Sequence, residues 1–251
     1  MVFSFLKTSV ATVRSLTAYL AVSLYVLVVG PPGMLWAVLV RSPALLYWLG
    51  RQGVRLALAI TGIHFRTAGL EHVQPGHATV YAVNHTSNVE PPILYLVLEP
   101  LFPRLRILYK AELHKVPILS HVFDLAGFVP VDRHHRDRAR RAIEAAAVAL
   151  REGNSFLIFP EGTRSRTGEL LPFKKGGFIM AIEGQALIVP MAIQGARAAM
   201  RRGSPIIWPV TVSVRLGRPI PTVGRGLGDR AQLITQTRSA IQELLAQGPV
   251  R

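Results

Sequence analysis

The chain contains no cysteine, so it has no disulfide, no thiolate metal ligand and no cysteine nucleophile. That absence carries no information about compartment. Acidic residues are scarce: 14 Asp and Glu stand against 29 Lys and Arg, a formal charge of +15. Such an excess attracts polyanions, and both nucleic acid and an anionic lipid surface qualify. Charge is missing altogether from residues 15–40. This apolar stretch accounts for part of the high mean hydropathy of +0.33 and decides for a membrane surface over nucleic acid as the polyanionic partner. Also absent are a Gly-x-Ser-x-Gly elbow, a His-Glu-x-x-His zinc site and any internal repeat. The glycine cluster at residues 224–228 is neither a dinucleotide fingerprint nor a P-loop, and no metal or cofactor is expected.

What is present divides the 251 residues in two. Residues 1–62 read as a membrane-associated helical segment and residues 63–251 as an α/β domain. A secretory signal is disfavoured because no small-residue cleavage site closes the apolar stretch before Arg41. Residues 16–29 are too few to cross a hydrocarbon core of about 30 Å. Continuing to Val40 supplies the length, but Gly30-Pro31-Pro32-Gly33 interrupts. Two prolines remove two donors and clash with the preceding turn. Positive charge flanks both ends, with Lys7 and Arg14 before and Arg41, Arg51 and Arg55 after. Cytoplasmic flanks favour such charge, so the expectation is a re-entrant hairpin on the cytoplasmic face of the inner membrane, its tip at Pro31-Pro32. Residues 44–60 read as a further helix, on which Arg51 and Arg55 share one face and either snorkel to headgroups or decorate an ordinary amphipathic helix.

From about His64 the pattern alternates between short strands and helices. Strands are expected at residues 78–83, 105–109, 128–132, 155–159 and 186–194, with one or two more within 206–216. Helices are expected at 91–98, 138–151, 175–183 and 229–246, the last capped by Asp229. Alternation of this kind argues an α/β fold with a largely parallel or mixed sheet flanked by helices. The Arg/His-rich residues 133–141 read most simply as a solvated or lipid-facing helix start.

Three elements stand at strand ends, where open α/β sheets hold ligands. Residues 84–92 read Asn-His-Thr-Ser-Asn-Val-Glu-Pro-Pro. A histidine with a carboxylate five positions on can form a dyad: the carboxylate orients the imidazole while the other ring nitrogen takes a proton from a hydroxyl. Ser87 reads as a cap for the next helical turn rather than as a nucleophile. Residues 159–166 read Phe-Pro-Glu-Gly-Thr-Arg-Ser-Arg, a turn with two arginines suited to phosphate, followed by Lys174 and Lys175. Residues 127–133 read Gly-Phe-Val-Pro-Val-Asp-Arg, with Lys110 on the preceding strand end.

Taken together these blocks, with Val189-Pro190-Met191-Ala192 following, resemble the 1-acylglycerol-3-phosphate acyltransferases of the PlsC type over about residues 78–194. The Phe-Pro-Glu-Gly-Thr-Arg-Ser box is the most specific part. The resemblance implies that His85 is a general base partnered by Glu90. It also implies that Lys110, Arg133, Glu161, Gly162, Thr163 and Arg164 bind the acceptor's glycerophosphate or shape its pocket, and that Pro190 helps line the site. One departure is Glu90, since the family's carboxylate is usually aspartate. The implied reaction moves a fatty acyl group from acyl-CoA or acyl carrier protein to the sn-2 hydroxyl of lysophosphatidic acid, giving phosphatidic acid. Rival readings are acylation of another lysolipid, such as a lyso-ornithine lipid, and a non-enzymatic anionic-lipid or nucleic-acid binding protein.

Overall fold

The computed structural model describes residues 2–250, with side chains from residue 6 onward. In chain order the elements are α1 (Val2–Val40), α2 (Ala44–Thr61), β1 (His64–Ala68), β2 (Thr79–Val83), α3 (Glu90–Val97), β3 (Leu105–Lys110), α4 (Leu119–Leu125) and β4 (Val129–Val131). They continue with α5 (Arg136–Arg151), β5 (Ser155–Ile158), α6 (Gly176–Glu183), β6 (Leu187–Gln194), α7 (Ala196–Ala199), β7 (Thr211–Leu216) and α8 (Arg230–Ala246). The strands form one mixed sheet in the order β1-β7-β6-β2-β5-β3-β4. Every neighbouring pair is parallel except β6 with β7.

Strand β2 is central and buried at all five positions, which is why its sequence is almost wholly apolar instead of alternating. Its side chains feed two cores. Tyr81 and Val83 join Ile93, Leu94, Leu157, Val189 and Met191 beneath α2 and α3. Val80 and Ala82 join Phe156, Ile158, Leu150, Phe178, Met180 and Leu233 beneath α5, α6 and α8. The parallel strands β2, β5, β3, β4 and β6 therefore open their C-terminal ends on one edge of the sheet, and the loops carrying the three chemical blocks meet there.

The N-terminal segment departs from expectation. It is a helical hairpin, but α1 runs unbroken through Pro31 and Pro32, and the chain reverses at residues 41–43 instead. An interior proline costs about 3 kcal/mol or more, so packing must offset it. Along α1, Ala11, Ser15, Ala18, Gly30, Gly33 and Ala37 form a buried stripe of small residues, which lets neighbouring helices approach closely. A Cβ on Gly33 would lie 2.7 Å from Leu49 Cδ1, and one on Gly30 would lie 3.0 Å from Ile118 Cγ2. Tyr25 Oη donates to Leu49 O at 2.9 Å, Tyr19 Oη donates to Pro205 O at 2.7 Å, and Ile207 N donates to Ser15 Oγ at 2.8 Å. The opposite face exposes Leu16, Leu20, Leu24, Leu27, Leu35, Trp36 and Leu39. By length and composition, residues Leu6–Val40 suffice to cross a membrane.

Two smaller expectations also change. Arg51 and Arg55 are not free for headgroups, since both pair with Glu99 at 3.6 and 3.5 Å. Asp229 stands at the N-cap of α8 but its carboxylate accepts from Gly226 N at 2.8 Å, closing the preceding turn rather than capping the helix. Residues 206–210 do not form a strand; they serve as the seam against α1.

Candidate active site

The loop after β2 is fixed before any catalytic side chain is considered. Asn84 exchanges two hydrogen bonds with the β6 backbone: its Nδ2 donates to Ile193 O at 3.0 Å and its Oδ1 accepts from Ile193 N at 2.8 Å. One residue on, His85 places its ring 4.0 Å from that of Phe159, stacked at 30°. His85 N donates to Glu161 Oε1 at 2.7 Å and its carbonyl accepts from Ser165 N at 2.7 Å. The two loops thus hold each other through backbone and ring alike.

Glu90 opens α3 and is fully buried. Its Oε2 lies 2.6 Å from His85 Nδ1. Thr86 N donates to both carboxylate oxygens at 2.9 and 3.0 Å, Thr86 Oγ1 donates to Oε1 at 2.6 Å, and Ser87 N donates to Oε1 at 3.0 Å. A buried carboxylate needs such donors. Pro91 and Pro92 follow at the first helical positions, where no intrahelical N–H is required. The longer glutamate therefore reaches back over its own loop and holds the imidazole from one side. The opposite ring nitrogen, Nε2, has no hydrogen-bond partner among the described residues, and the side chain is 16% exposed. Ser87 Oγ donates to Met200 O at 2.8 Å, which ties the loop to the segment after α7.

Glu161 is likewise buried, and burial raises its carboxyl pKa against the opposing pull of the Leu171 and His85 backbone N–H groups. Leu171 N donates to its Oε2 at 2.8 Å. Gly162 takes a positive φ of 69°, and a Cβ there would meet Lys174 Cγ at 3.2 Å. Its carbonyl accepts a hydrogen bond from Arg133 Nη1. The structure thus brings together His85, Glu90, Glu161, Gly162, Arg133 and Lys174. Lys110 stands on the same side, its Nζ 3.1 Å from Glu112 Oε1. Thr163 is exposed at the turn. Arg164 is half-buried, its carbonyl accepts from Arg202 Nη1 at 2.9 Å, and its guanidinium has no partner among the described residues. Pro190 is not a lining residue. It is buried within β6 opposite Ala82, with its ring close to Gly217 on the α8 side of the sheet.

An apolar cavity of about 310 Å³ lies between the N-terminal hairpin and the start of α3. Its wall includes Pro91 and Pro92 next to Glu90, Tyr25 and Gly30 of α1, Tyr47 and Gly50 of α2, and Phe123 and Phe128. Burial pushes the Tyr47 and Tyr95 phenols well above their ordinary range. Both stay neutral and donate to carbonyls, Tyr47 to Leu105 O and Tyr95 to Tyr47 O at 3.0 Å. A larger cleft of about 600 Å³ lies elsewhere, between α2, β1 and the end of α3, with Arg55 and Glu99 at its rim. Neither cavity is lined by the dyad or the arginine turn; the smaller one comes nearer in the chain, through Pro91 and Pro92.

A histidine–carboxylate dyad at the C-terminal edge of a mixed sheet, with arginines on the neighbouring loop, is an arrangement able to deprotonate a hydroxyl. The Acyltransferase family model matches residues 64–194, and the chain belongs to that family. A 1-acyl-sn-glycerol-3-phosphate acyltransferase of Limnanthes douglasii is 34% identical over 168 residues, covering 66% of this chain and 58% of its own. A relative of the same name from Cocos nucifera is 35% identical over 57% of this chain and 46% of its own. The alpha form from Homo sapiens is 29% identical over 72% and 63% respectively. The chain thus spans about half to three-fifths of the length of these curated relatives. The crystal structure of the 1-acyl-sn-glycerophosphate acyltransferase PlsC from Thermotoga maritima superposes with a TM-score of 0.80 at 20% identity, covering 97% of this chain and 99% of that one. This likeness establishes a shared fold.

Proposed function

We propose that the protein transfers a fatty acyl group from a thioester to the sn-2 hydroxyl of 1-acylglycerol-3-phosphate, giving phosphatidic acid. The observation that carries this reading is the His85–Glu90 dyad, held through Nδ1 with Nε2 left without a partner among the described residues. His85 Nε2 takes the proton as the acceptor oxygen attacks the thioester carbonyl carbon. Collapse of the tetrahedral adduct breaks the carbon–sulfur bond, and the departing thiolate takes the proton back from the imidazolium. The products are an ester and a thiol, and His85 is regenerated. Glu90 holds the tautomer that carries its proton on Nδ1 and stabilises the charged ring. A thioester is already activated, so no covalent acyl-enzyme is needed.

Arg133, Lys174, Lys110 and Arg164 surround the Gly162 turn and serve the acceptor phosphate, with planar guanidinium forks suited to its oxygens. The cavity of about 310 Å³ falls in the size range of ligand pockets, about 300–1,000 Å³, and its apolar wall fits an acyl chain. Helix α1 does not stand clear of the domain, because residues 15–30 pack against residues 205–207 and Ile118. That packing favours α1 and α2 lying in the cytoplasmic leaflet of the inner membrane, with the exposed leucines toward lipid. The test is an assay of purified protein with acyl-CoA and acyl carrier protein donors against a panel of lysolipids. Lysophosphatidic acid is the expected acceptor, and His85→Ala should lower turnover by about 10²–10⁴-fold. Near-wild-type turnover in that variant would end the dyad reading.

A further inference from the structure

Lys110 and Arg133, at the ends of β3 and β4, stand on one flank of His85. The strand order places β5, β3 and β4 on one side of β2 and β6 on the other, and a second group of cations gathers at the β6 end. Arg197 lies on α7, and Arg201 and Arg202 follow it directly. Arg202 Nη1 donates to Arg164 O at 2.9 Å, while a Cβ on Gly168 would lie 3.9 Å from Arg197 Cδ. The loop bearing Arg166 is therefore stitched against this segment. All four arginines are exposed. None of them pairs with a carboxylate among the described residues, and Glu169 on the same loop is also without an ion pair. Like charges held close without a counter-ion repel one another, and a polyanionic ligand relieves that cost.

Two hydrogen bonds tie this group to the reaction centre. Ser87 Oγ donates to Met200 O, and Ser165 N donates to His85 O. A ligand gripped here is held against the catalytic loop, on the flank away from Arg133. The site is also narrow on one side, because Tyr19 of α1 is bonded to Pro205 three residues beyond Arg202. A folded carrier docking at this point would meet α1 and the lipid its outer face contacts. A slender phosphate-bearing chain meets no such wall.

On the thioester-donor reading above, we propose that Arg166, Arg197, Arg201 and Arg202 bind the phosphates of coenzyme A, making acyl-CoA the donor. Guanidinium groups suit this ligand, since each offers a planar fork to a phosphate monoester or diphosphate.

The experiment compares wild type with Arg197→Gln, Arg201→Gln, Arg202→Lys and the triple Gln variant in detergent micelles of fixed composition. Donor and acceptor KM values are measured separately, and binding of free coenzyme A is measured by equilibrium dialysis. The triple variant should raise the KM for acyl-CoA about tenfold or more and weaken coenzyme A binding in step, as loss of charge-assisted hydrogen bonds predicts. The acceptor KM should stay unchanged. The thioester of dephospho-coenzyme A should bring part of the same penalty to wild type and none further to the triple variant. Unchanged donor KM and coenzyme A binding would overturn the proposal. So would a penalty confined to acyl carrier protein thioesters, or lost sedimentation with phosphatidylglycerol vesicles while donor constants hold. If wild type transferred no acyl group from any donor, the functional reading would fail, yet dialysis would still decide whether these arginines hold coenzyme A. The Arg201 side chain makes no hydrogen bond or ion pair among the described residues, so its variant should fold normally.

Discussion

Replacing Glu90 by Gln changes one atom at the most constrained point of the site. The carboxylate receives only donors: the His85 ring, Thr86 N, Thr86 Oγ1 and Ser87 N. An amide must turn its NH₂ toward one set of them. With Nε2 on the side of Thr86 Oγ1 and Ser87 N, a donor faces two donors at 2.6 and 3.0 Å. With Nε2 on the His85 side, Oε1 keeps its three partners, while the 2.6 Å contact to Nδ1 changes character and the second bond from Thr86 N, at 3.0 Å, is lost. The second orientation is cheaper, and the amide then donates to an unprotonated Nδ1. That fixes the ring proton on Nε2, the nitrogen needed as base. The comparable loss of charge in a serine-protease triad lowers kcat by about 10⁴-fold, and a fall of that order is expected here. Stability should drop by about 1–3 kcal/mol, the usual cost of losing a charged partner in a buried network. Glu90→Asp draws the carboxylate back by about 1.5 Å, one carbon–carbon bond, and should retain part of the activity because the loop can follow. Steady-state kinetics and thermal unfolding on the three proteins decide the matter. If Glu90→Gln keeps turnover within about threefold of wild type, Glu90 serves only the loop, and some other group orients His85.

Three further outcomes are expected. Arg133→Ala should raise the acceptor KM and loosen the Gly162 turn, while Arg133→Lys restores charge without the fork and rescues only in part; unchanged acceptor affinity in both would remove Arg133 from the phosphate site. Gly33→Leu cannot fit against Leu49 without parting α1 from α2, so it should destabilise the protein and expose the cavity, seen as lowered Tm and raised binding of an apolar dye. Burial raises the Glu161 pKa above its unfolded value, so its contribution to stability is fully present below the unfolded pKa of about 4.3 and is lost as pH rises through the folded value. The stability of wild type relative to Glu161→Gln should therefore be greatest at acid pH and shrink toward neutrality. A relative stability that instead grew with pH would show that the bonds from Leu171 N and His85 N outweigh burial.

Much of this arrangement could be read from residue order alone. Strand β2 announced itself as a run of buried apolar residues, and its end fixed where His85 had to stand. The two blocks at residues 84–90 and 159–165 fold into mutual contact; a histidine and a carboxylate five apart are a weak signal alone, and it is the ordered blocks of the family resemblance that single them out. Strand β1 was not singled out as a strand, because its five residues are half or wholly exposed and pair on one side only. The N-terminal reversal lies at residues 41–43 and not at Pro31-Pro32, because proline chemistry is local whereas the packing of Gly30 and Gly33 against Ile118 and Leu49 is not. Pro190 stood in a recognisable block, yet its face of the sheet depends on the β2–β6 register. The cavity draws its wall from five separated stretches and the second arginine group from two. Neither leaves a local pattern in the chain.

The hairpin's place in the cavity wall has a practical consequence. Tyr25, Val29 and Gly30 of α1 and Leu46, Tyr47 and Gly50 of α2 close the space beside Pro91 and Pro92, while the opposite face of α1 presents leucines outward. Trimming residues 1–62 to obtain a more tractable α/β domain would strip off one side of this cavity and leave its remaining apolar lining in water. The greasy end and the cavity wall are one structural element here, and a version of the protein freed of the first would be freed of the second as well.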